Sequence, residues 1–104
     1  MSDRRAKLET LYAADPADAD LPYMIALEHG KADDPEAAVT WLDRAIATNP
    51  SHHYAYFQKA RMLSELGEDD DARAAADAGI ARAAADQNAK ALGELQELRA
   101  ALES

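Results

Sequence analysis

The chain carries the hydrophobic spacing of helices and shows no pattern typical of strands. No stretch alternates apolar and polar residues with a period of two, and no turn dipeptide joins β-branched runs. The sequence instead contains residues typical of helix ends. Asp34-Pro35 is typical of a helix start, and Gly67 is typical of the residue that follows a helix. The pattern predicts an all-α fold of about six helices. We expect them at residues 3–14, 20–31, 35–48, 51–66, 69–84 and 87–103.

The apolar pattern also repeats along the chain. When Pro16 is placed over Pro50, an offset of 34 residues aligns the chain with itself without gaps. Small or apolar residues then coincide at helical spacing, as close packing of helices requires. The coinciding pairs include Tyr23 with Phe57, Ala26 with Ala60, Ala38 with Ala72, and Ile46 with Ile80. We interpret the sequence as a tandem repeat of helical hairpins.

Two segments carry this repeat, and both resemble the tetratricopeptide repeat. They are ALEHGKADDPEAAVTWLDRAIATNP at 26–50 and AYFQKARMLSELGEDDDARAAADAGIARA at 55–83. The resemblance implies a right-handed stack of antiparallel helical hairpins, an α-solenoid. The second repeat departs from the family at Ala84, where proline is expected, and at Ala75 and Ala76, where bulky residues usually pack.

The resemblance also implies a domain organisation. We expect one domain over 1–104, with half-repeats at its ends that cover the apolar faces of the stack. The parts are a half-repeat at 1–18, repeats at 19–52 and 53–86, and a capping helix at 87–104. The last helix offers a leucine stripe to helix 69–84, formed by Leu92, Leu95, Leu98 and Leu102. The first helix offers Leu8, Leu11 and Tyr12, and Trp41 is expected to be largely buried.

Composition narrows the class of partner. Leu, Ile, Val and Phe together number 16 and the net charge is −9, so burial per residue is expected to be modest. The acidic balance argues against nucleic acid and anionic membranes, which attract basic proteins. The absence of cysteine, of a signal peptide and of a membrane-spanning run is compatible with a cytoplasmic location. An alternative cause of the acidity is adaptation to high salt.

Candidate contact residues follow from the resemblance, which implies that the first helix of each hairpin lines the concave side. Aromatic residues and an arginine fall on that side, and these residue types carry much of the energy of protein interfaces. The candidate set is Tyr23, Leu27, Tyr54, Phe57, Gln58 and Arg61. Two alternatives stay open for these residues: contact with a partner, or packing within the domain. Arg61 is also spaced to pair with Glu65.

Other constellations favour no chemistry. His52 and His53 are adjacent, so they point apart on a helix and are expected in a solvated first turn rather than in a metal site. Residues 68–71 lack the spacing of a calcium loop and predict a helix start. The chain has neither a nucleophile motif nor a glycine-rich phosphate loop. We expect no catalytic residue, no metal and no cofactor.

The predicted function is a non-catalytic scaffold or adaptor that binds a protein or peptide in the concave groove. Chaperone-binding members of the family hold a C-terminal carboxylate with lysine, asparagine and arginine, and the resemblance places Tyr23, Leu27, Gln58, Asn88 and Leu92 at those positions. The basic members are missing, so that binding mode is not expected. The alternative function is self-association as a homodimer, through a spare leucine face on 87–103 or through the groove.

Overall fold

Six α-helices run through residues 3–103, the part of the chain that the computed structural model describes. They are α1 (Asp3–Ala14), α2 (Asp20–Lys31), α3 (Pro35–Thr48), α4 (His53–Glu65), α5 (Asp69–Ala85) and α6 (Ala89–Ala101). The predicted bounds of the first three helices are confirmed, and those of the others differ by at most two residues. Residues 1, 2 and 104, which the predicted domain includes, lie outside the described residues.

The helices form the predicted stack of antiparallel hairpins. Each helix packs against the next one in the chain, and α4 also touches α6. Helices α2, α4 and α6 therefore make an inner layer, and α1, α3 and α5 make an outer layer. None of the helices in residues 3–103 is long and apolar enough to cross a membrane.

Helix α5 ends in a different way from α3. Helix α3 stops two residues before Pro50, whereas Ala84 stands where a second proline was expected, and α5 continues to Ala85. It has 17 residues against the 14 of α3. The chain then turns through Gln87, which has the left-handed φ of 57° common after helix ends. As a result α6 begins at Ala89, two residues later than the repeat offset predicts.

Alanine makes most of the core. Within residues 3–103, ten of the seventeen buried apolar residues are alanines, and so neighbouring helices can approach closely. Ala75 and Ala76, at positions where bulky residues are usual, pack in one cluster with Leu98 of α6 and with Leu102, the residue that follows this helix. The last helix thus supplies the bulk that the outer helix α5 lacks.

The end helices cover the stack with one exception. Leu8 and Tyr12 of α1 pack with Leu21 and Ile25 of α2. Leu11 is 54% exposed, so its predicted covering role is wrong. The reason is that α1 packs mainly against α2, and Leu8 and Tyr12 already fill the stripe that faces it.

Trp41 packs against two core clusters and keeps a minor part of its surface exposed, in agreement with the expectation of a largely buried side chain. Its ring meets the edge of Tyr12, with 5.3 Å between the centroids and 80° between the planes. The guanidinium of Arg44 lies 4.3 Å from the Trp41 ring centroid. A charged side chain of the same helix therefore lies over the ring face of Trp41.

The leucines of α6 are used within the domain. Leu95 is 1% exposed and packs with Ala83 and Ala91. Leu98 and Leu102 pack on the cluster shared by α4 and α5. The leucine stripe thus serves packing within the domain, with Leu92, Leu98 and Leu102 only partly buried, and dimerisation through this helix stays a prediction.

Gly79→Ala is expected to destabilise the domain by about 1–2 kcal/mol, because overpacking outweighs a gain in helix propensity of about 1 kcal/mol. A Cβ at Gly79 would lie 2.7 Å from the Tyr56 Cβ and 3.0 Å from a methyl carbon of Leu95. Gly93→Ala is the matched control, since nothing lies within 4 Å of a Cβ there. It is expected to stabilise by about 0.5–1 kcal/mol. Urea denaturation measures both, and equal stabilisation would contradict the close approach at Gly79.

Candidate functional site

A depression of about 290 Å³ opens between α2 and α4 on the inner layer, and we call it the α2–α4 depression. Its apolar lining is Ala26, Leu27, Ala38, Leu42 and Met62, and its polar rim is Lys31, Gln58, Arg61 and Glu65. Gly30 adds to the space, because a Cβ there would point at the Met62 sulfur from 3.6 Å. The depression is therefore an apolar recess with charged groups at its opening.

Arg61 lies exposed at this rim with most of its hydrogen-bonding capacity unused. Its Nη1 donates a hydrogen bond of 3.3 Å to the Gln58 Oε1, and this amide oxygen is an uncharged acceptor. Arg61 takes part in none of the ion pairs found within residues 3–103, and the predicted pair with Glu65 is not among them. A guanidinium has five N–H donors, so several remain free to bind carbonyl or carboxylate oxygens of a partner.

Tyr23 lies beside the depression and packs between the repeats. Its ring is stacked at a tilt on His52, with 4.5 Å between the centroids. Burial raises the pKa of the Tyr23 phenol, and a hydrogen bond with Gln58 opposes that rise. Part of the Tyr23 ring therefore serves packing within the domain.

A second recess of about 300 Å³, the α4–α6 depression, is lined by Phe57, Glu94, Glu97 and Leu98. Tyr54 is 37% exposed and its hydroxyl donates to the Glu94 Oε1 at 2.6 Å. That hydrogen bond, helped by burial and by the negative charge of Glu94, raises the pKa of the Tyr54 phenol. Tyr54 and Phe57 therefore belong with α6, on the other side of α4 from Leu27.

The structure divides the six candidate residues into three groups. Leu27, Gln58 and Arg61 line one depression, Phe57 lines the other, and Tyr54 hydrogen bonds to a glutamate of the second. Tyr23, the third group, packs on the ring of His52.

Sequence reasoning missed three groups of lining residues: Met62, the two charged residues Lys31 and Glu65, and the pair Glu94 and Glu97. Met62 and Glu65 could have been found, since they follow Gln58 and Arg61 at four-residue spacing on the same face of a helix.

The histidines are not solvated, so that prediction is wrong. The side chains of His52 and His53 are 12% and 11% exposed. His52 lies 3.3 Å from the Asp20 carboxylate, and His53 Nε2 donates to the Asp86 Oδ2 at 2.7 Å. The two rings therefore face carboxylates in two different neighbouring turns, one at the start of α2 and the other after α5. This agrees with the prediction that adjacent histidines point apart. Within residues 3–103 no group of three or more histidine, aspartate or glutamate side chains is arranged to hold a metal ion.

Asp86→Asn is expected to make the stability less dependent on pH between about pH 5 and pH 3. Hydrogen bonds from Ser51 and His53, with the charge of Arg82, hold the pKa of the Asp86 carboxyl below its ordinary value of 3.8. A lowered pKa contributes stability above the unfolded value, and that stability is lost as pH falls through the folded value. Urea denaturation over a pH series measures the slope, with Asp15→Asn as a control for the change in net charge. Slopes for Asp86→Asn and the unmodified chain that coincide would contradict the prediction.

Comparison with known proteins agrees with this architecture. Residues 41–74 match the sequence model of the tetratricopeptide repeat family. A tetratricopeptide repeat domain protein from Salinibacter ruber is 29% identical, with a TM-score of 0.79 over 86% of this chain and 90% of that chain. No protein of curated function matches the sequence significantly.

Two further solved structures share the fold at lower identity. A protein from Bordetella parapertussis is 22% identical, with a TM-score of 0.83 over 99% of this chain and 90% of that one. The first tetratricopeptide repeat of Spaghetti, solved with an HSP90 peptide, is 22% identical, with a TM-score of 0.76 over 96% of this chain and 78% of that one. Residues 41–74 are thus similar in sequence to the tetratricopeptide repeat family, and the fold of the chain is that of tetratricopeptide repeat proteins.

Proposed function

We propose that this domain holds an extended segment of a partner protein across α2, α4 and α6, with Tyr23, Leu27, Tyr54, Phe57, Gln58 and Arg61 as its contact set. The tetratricopeptide fold is in general a non-catalytic fold for protein interaction. In this proposal 1–104 is one domain, with repeats at 19–52 and 53–86 between the half-repeats 1–18 and 87–104.

The observation that carries the proposal is the α2–α4 depression with an unpaired guanidinium at its rim. Its apolar lining would bury a side chain of the partner, which is the usual source of affinity in such sites. Arg61 keeps free N–H groups beside it, and these would bind main-chain carbonyls of the same segment. An apolar recess beside free hydrogen-bond donors suits an extended peptide, which offers a side chain and unpaired carbonyl groups together.

The structural neighbour with a bound HSP90 peptide supports peptide binding by this fold. The partner of the present chain is expected to differ in chemistry. By the gapless repeat register, the positions that the family uses to hold a C-terminal carboxylate carry Tyr23, Leu27, Gln58, Asn88 and Leu92. The later start of α6 moves the last two to Lys90 and Glu94, so one basic residue is offset by an acidic one and the other three positions carry no charge. We therefore propose an internal segment of a partner, without a requirement for its C-terminus.

Filling the depression from within tests the proposal. In the series Gly30→Ala, Gly30→Val and Gly30→Leu, the new side chain enters the recess beside Met62. Binding of peptides selected from a random decapeptide library is expected to fall progressively, to less than about one tenth for leucine, because the anchor loses its space. Fluorescence anisotropy measures binding, and circular dichroism checks that each variant keeps its helices.

Two controls separate the groove from the rest of the surface. Ala47→Leu adds bulk at an exposed position on the outer helix α3 and is expected to leave binding unchanged. Arg61→Glu is expected to weaken binding about tenfold or more, whereas Lys7→Glu makes the same charge change on α1 and leaves it intact. Peptides that bind Gly30→Leu and Arg61→Glu as tightly as the unmodified domain would show that the contact surface lies elsewhere.

A further inference from the structure

The two depressions of the inner layer carry different charge. The α2–α4 depression is lined by two basic residues and one acidic residue: Lys31, which pairs with Glu28, and Arg61 and Glu65, which take part in no ion pair within residues 3–103. Beside the α4–α6 depression, the charged groups are Glu94 and Glu97. Glu94 accepts a hydrogen bond from the neutral Tyr54 hydroxyl, and Glu97 is exposed. Neither glutamate takes part in an ion pair within the described residues.

Two carboxylates therefore line this recess beside an aromatic ring, and no basic side chain is among the lining residues in the described part of the chain. Phe57 lines the same recess and presents apolar surface beside the carboxylates. A lysine or arginine side chain suits this combination, because its methylene stem packs on apolar surface while its charged end meets the carboxylates. An acidic or neutral side chain would leave Glu94 and Glu97 uncompensated, and the net charge of −9 would repel an acidic one further.

Resting on the proposed function, we infer that the partner segment pairs an apolar residue in the α2–α4 depression with a lysine or arginine in the α4–α6 depression. The inference specifies the partner by its chemistry: an extended segment with an apolar anchor and a nearby basic residue. The complementary charges set which peptides bind and in which position they bind across α4.

The spacing of this motif follows from helix packing. The two depressions flank the single helix α4, and packed helices lie about 8–10 Å apart. In an extended polyproline II conformation, residues i and i+3 point to the same side and lie about 9 Å apart. The basic residue is therefore expected three positions from the apolar anchor.

Capped synthetic peptides test the motif directly. Each peptide carries a leucine anchor, with lysine, glutamine or glutamate three positions before or after it, and its blocked ends remove the terminal charges. Lysine on one side of the anchor, either before or after it, is expected to give the preferred peptide. With the unmodified domain this peptide is expected to bind about fivefold more tightly than the glutamine peptide of the same arrangement, and the glutamate peptide is expected to bind more weakly than both. Moving lysine to positions two or five residues from the anchor is expected to reduce this preference.

Matched protein variants assign the preference to the α4–α6 depression. Glu97→Gln is expected to reduce the preference for lysine over glutamine to less than about twofold, and Glu97→Lys to reverse it in favour of glutamate. Glu9→Gln, which removes an exposed carboxylate on α1, is expected to leave the preference as it is. Circular dichroism confirms that each variant is folded.

The outcomes distinguish this inference from the proposed function. Peptides that lose binding in Gly30→Leu yet show no lysine preference, or a preference that Glu97→Lys does not reverse, would overturn the inference and leave groove binding in place. Peptides that bind Gly30→Leu undiminished would overturn the proposed function and the inference with it. Binding that Gly30→Leu weakens, together with a lysine preference that Glu97→Lys reverses, supports both the proposed function and the inference.

Discussion

Leu42→Ala is expected to lower the free energy of unfolding by about 3–5 kcal/mol, the upper part of the range for such truncations. Leu42 is 1% exposed and packs in a cluster with Ala26, Ala38 and Ala45. The cost of a truncation depends on how far its neighbours can collapse into the space. The alanine neighbours have no side-chain rotamer with which to do so, and the flexible Met62 of the same cluster can fill only part of the space, so much of the cavity would remain.

The matched control for this truncation is Leu11→Ala. Leu11 is 54% exposed, so the same change is expected to alter stability by less than about 0.5 kcal/mol. Urea denaturation followed by circular dichroism gives both free energies. A loss at Leu42 no larger than that at Leu11 would contradict a core in which a few large residues fill the space between alanines.

Much of the fold could be predicted because the signals that start and stop these helices are local. The Asp34 side chain accepts a hydrogen bond from the Ala37 N–H, as its place before Pro35 predicts. Gly67 has the left-handed φ of 78° that its place after α4 predicts. Each of these signals involves residues a few positions apart, so the sequence is sufficient to identify them.

The α4–α6 depression could not be predicted, because it depends on a shift in the repeat. Extending the 34-residue offset aligns Gln58 with Leu92, whereas the starts of α4 and α6, at His53 and Ala89, differ by 36 residues. With that spacing Glu94 takes the place of Gln58 on the inner layer. The shift arises where α5 runs on to Ala85 in the absence of a proline.

The histidines show a second limit of sequence reasoning. His52 and His53 begin a helix in a polar segment, and by themselves they predict exposure to solvent. Their partners are Asp20 and Asp86, each about a full repeat away in the chain. Only the stacking of hairpins brings those turns together, and no local pattern contains that information.

Leu95→Asp is expected to destabilise the domain by at least about 4 kcal/mol, since it removes a buried side chain and introduces a charge without a partner. Leu95 is 1% exposed and packs with Ala83, Ala91 and Tyr56. Domains of this size are stable by about 5–15 kcal/mol, and a core rich in alanine favours the lower end. Circular dichroism is therefore expected to show a large loss of helix at room temperature.

The same substitution bears on the alternative function, self-association. If Leu95 lay on a dimer interface, Leu95→Asp would convert a dimer into a folded monomer. Because Leu95 is buried within the domain, the substitution is expected to unfold the chain instead. Leu11→Asp is the matched variant, because its exposed side chain can carry a charge with the fold intact. Sedimentation that shows a folded Leu95→Asp chain with a lower mass than the unmodified protein would contradict the burial of Leu95. Sedimentation in which only Leu11→Asp lowers the mass would place self-association on α1, away from the groove.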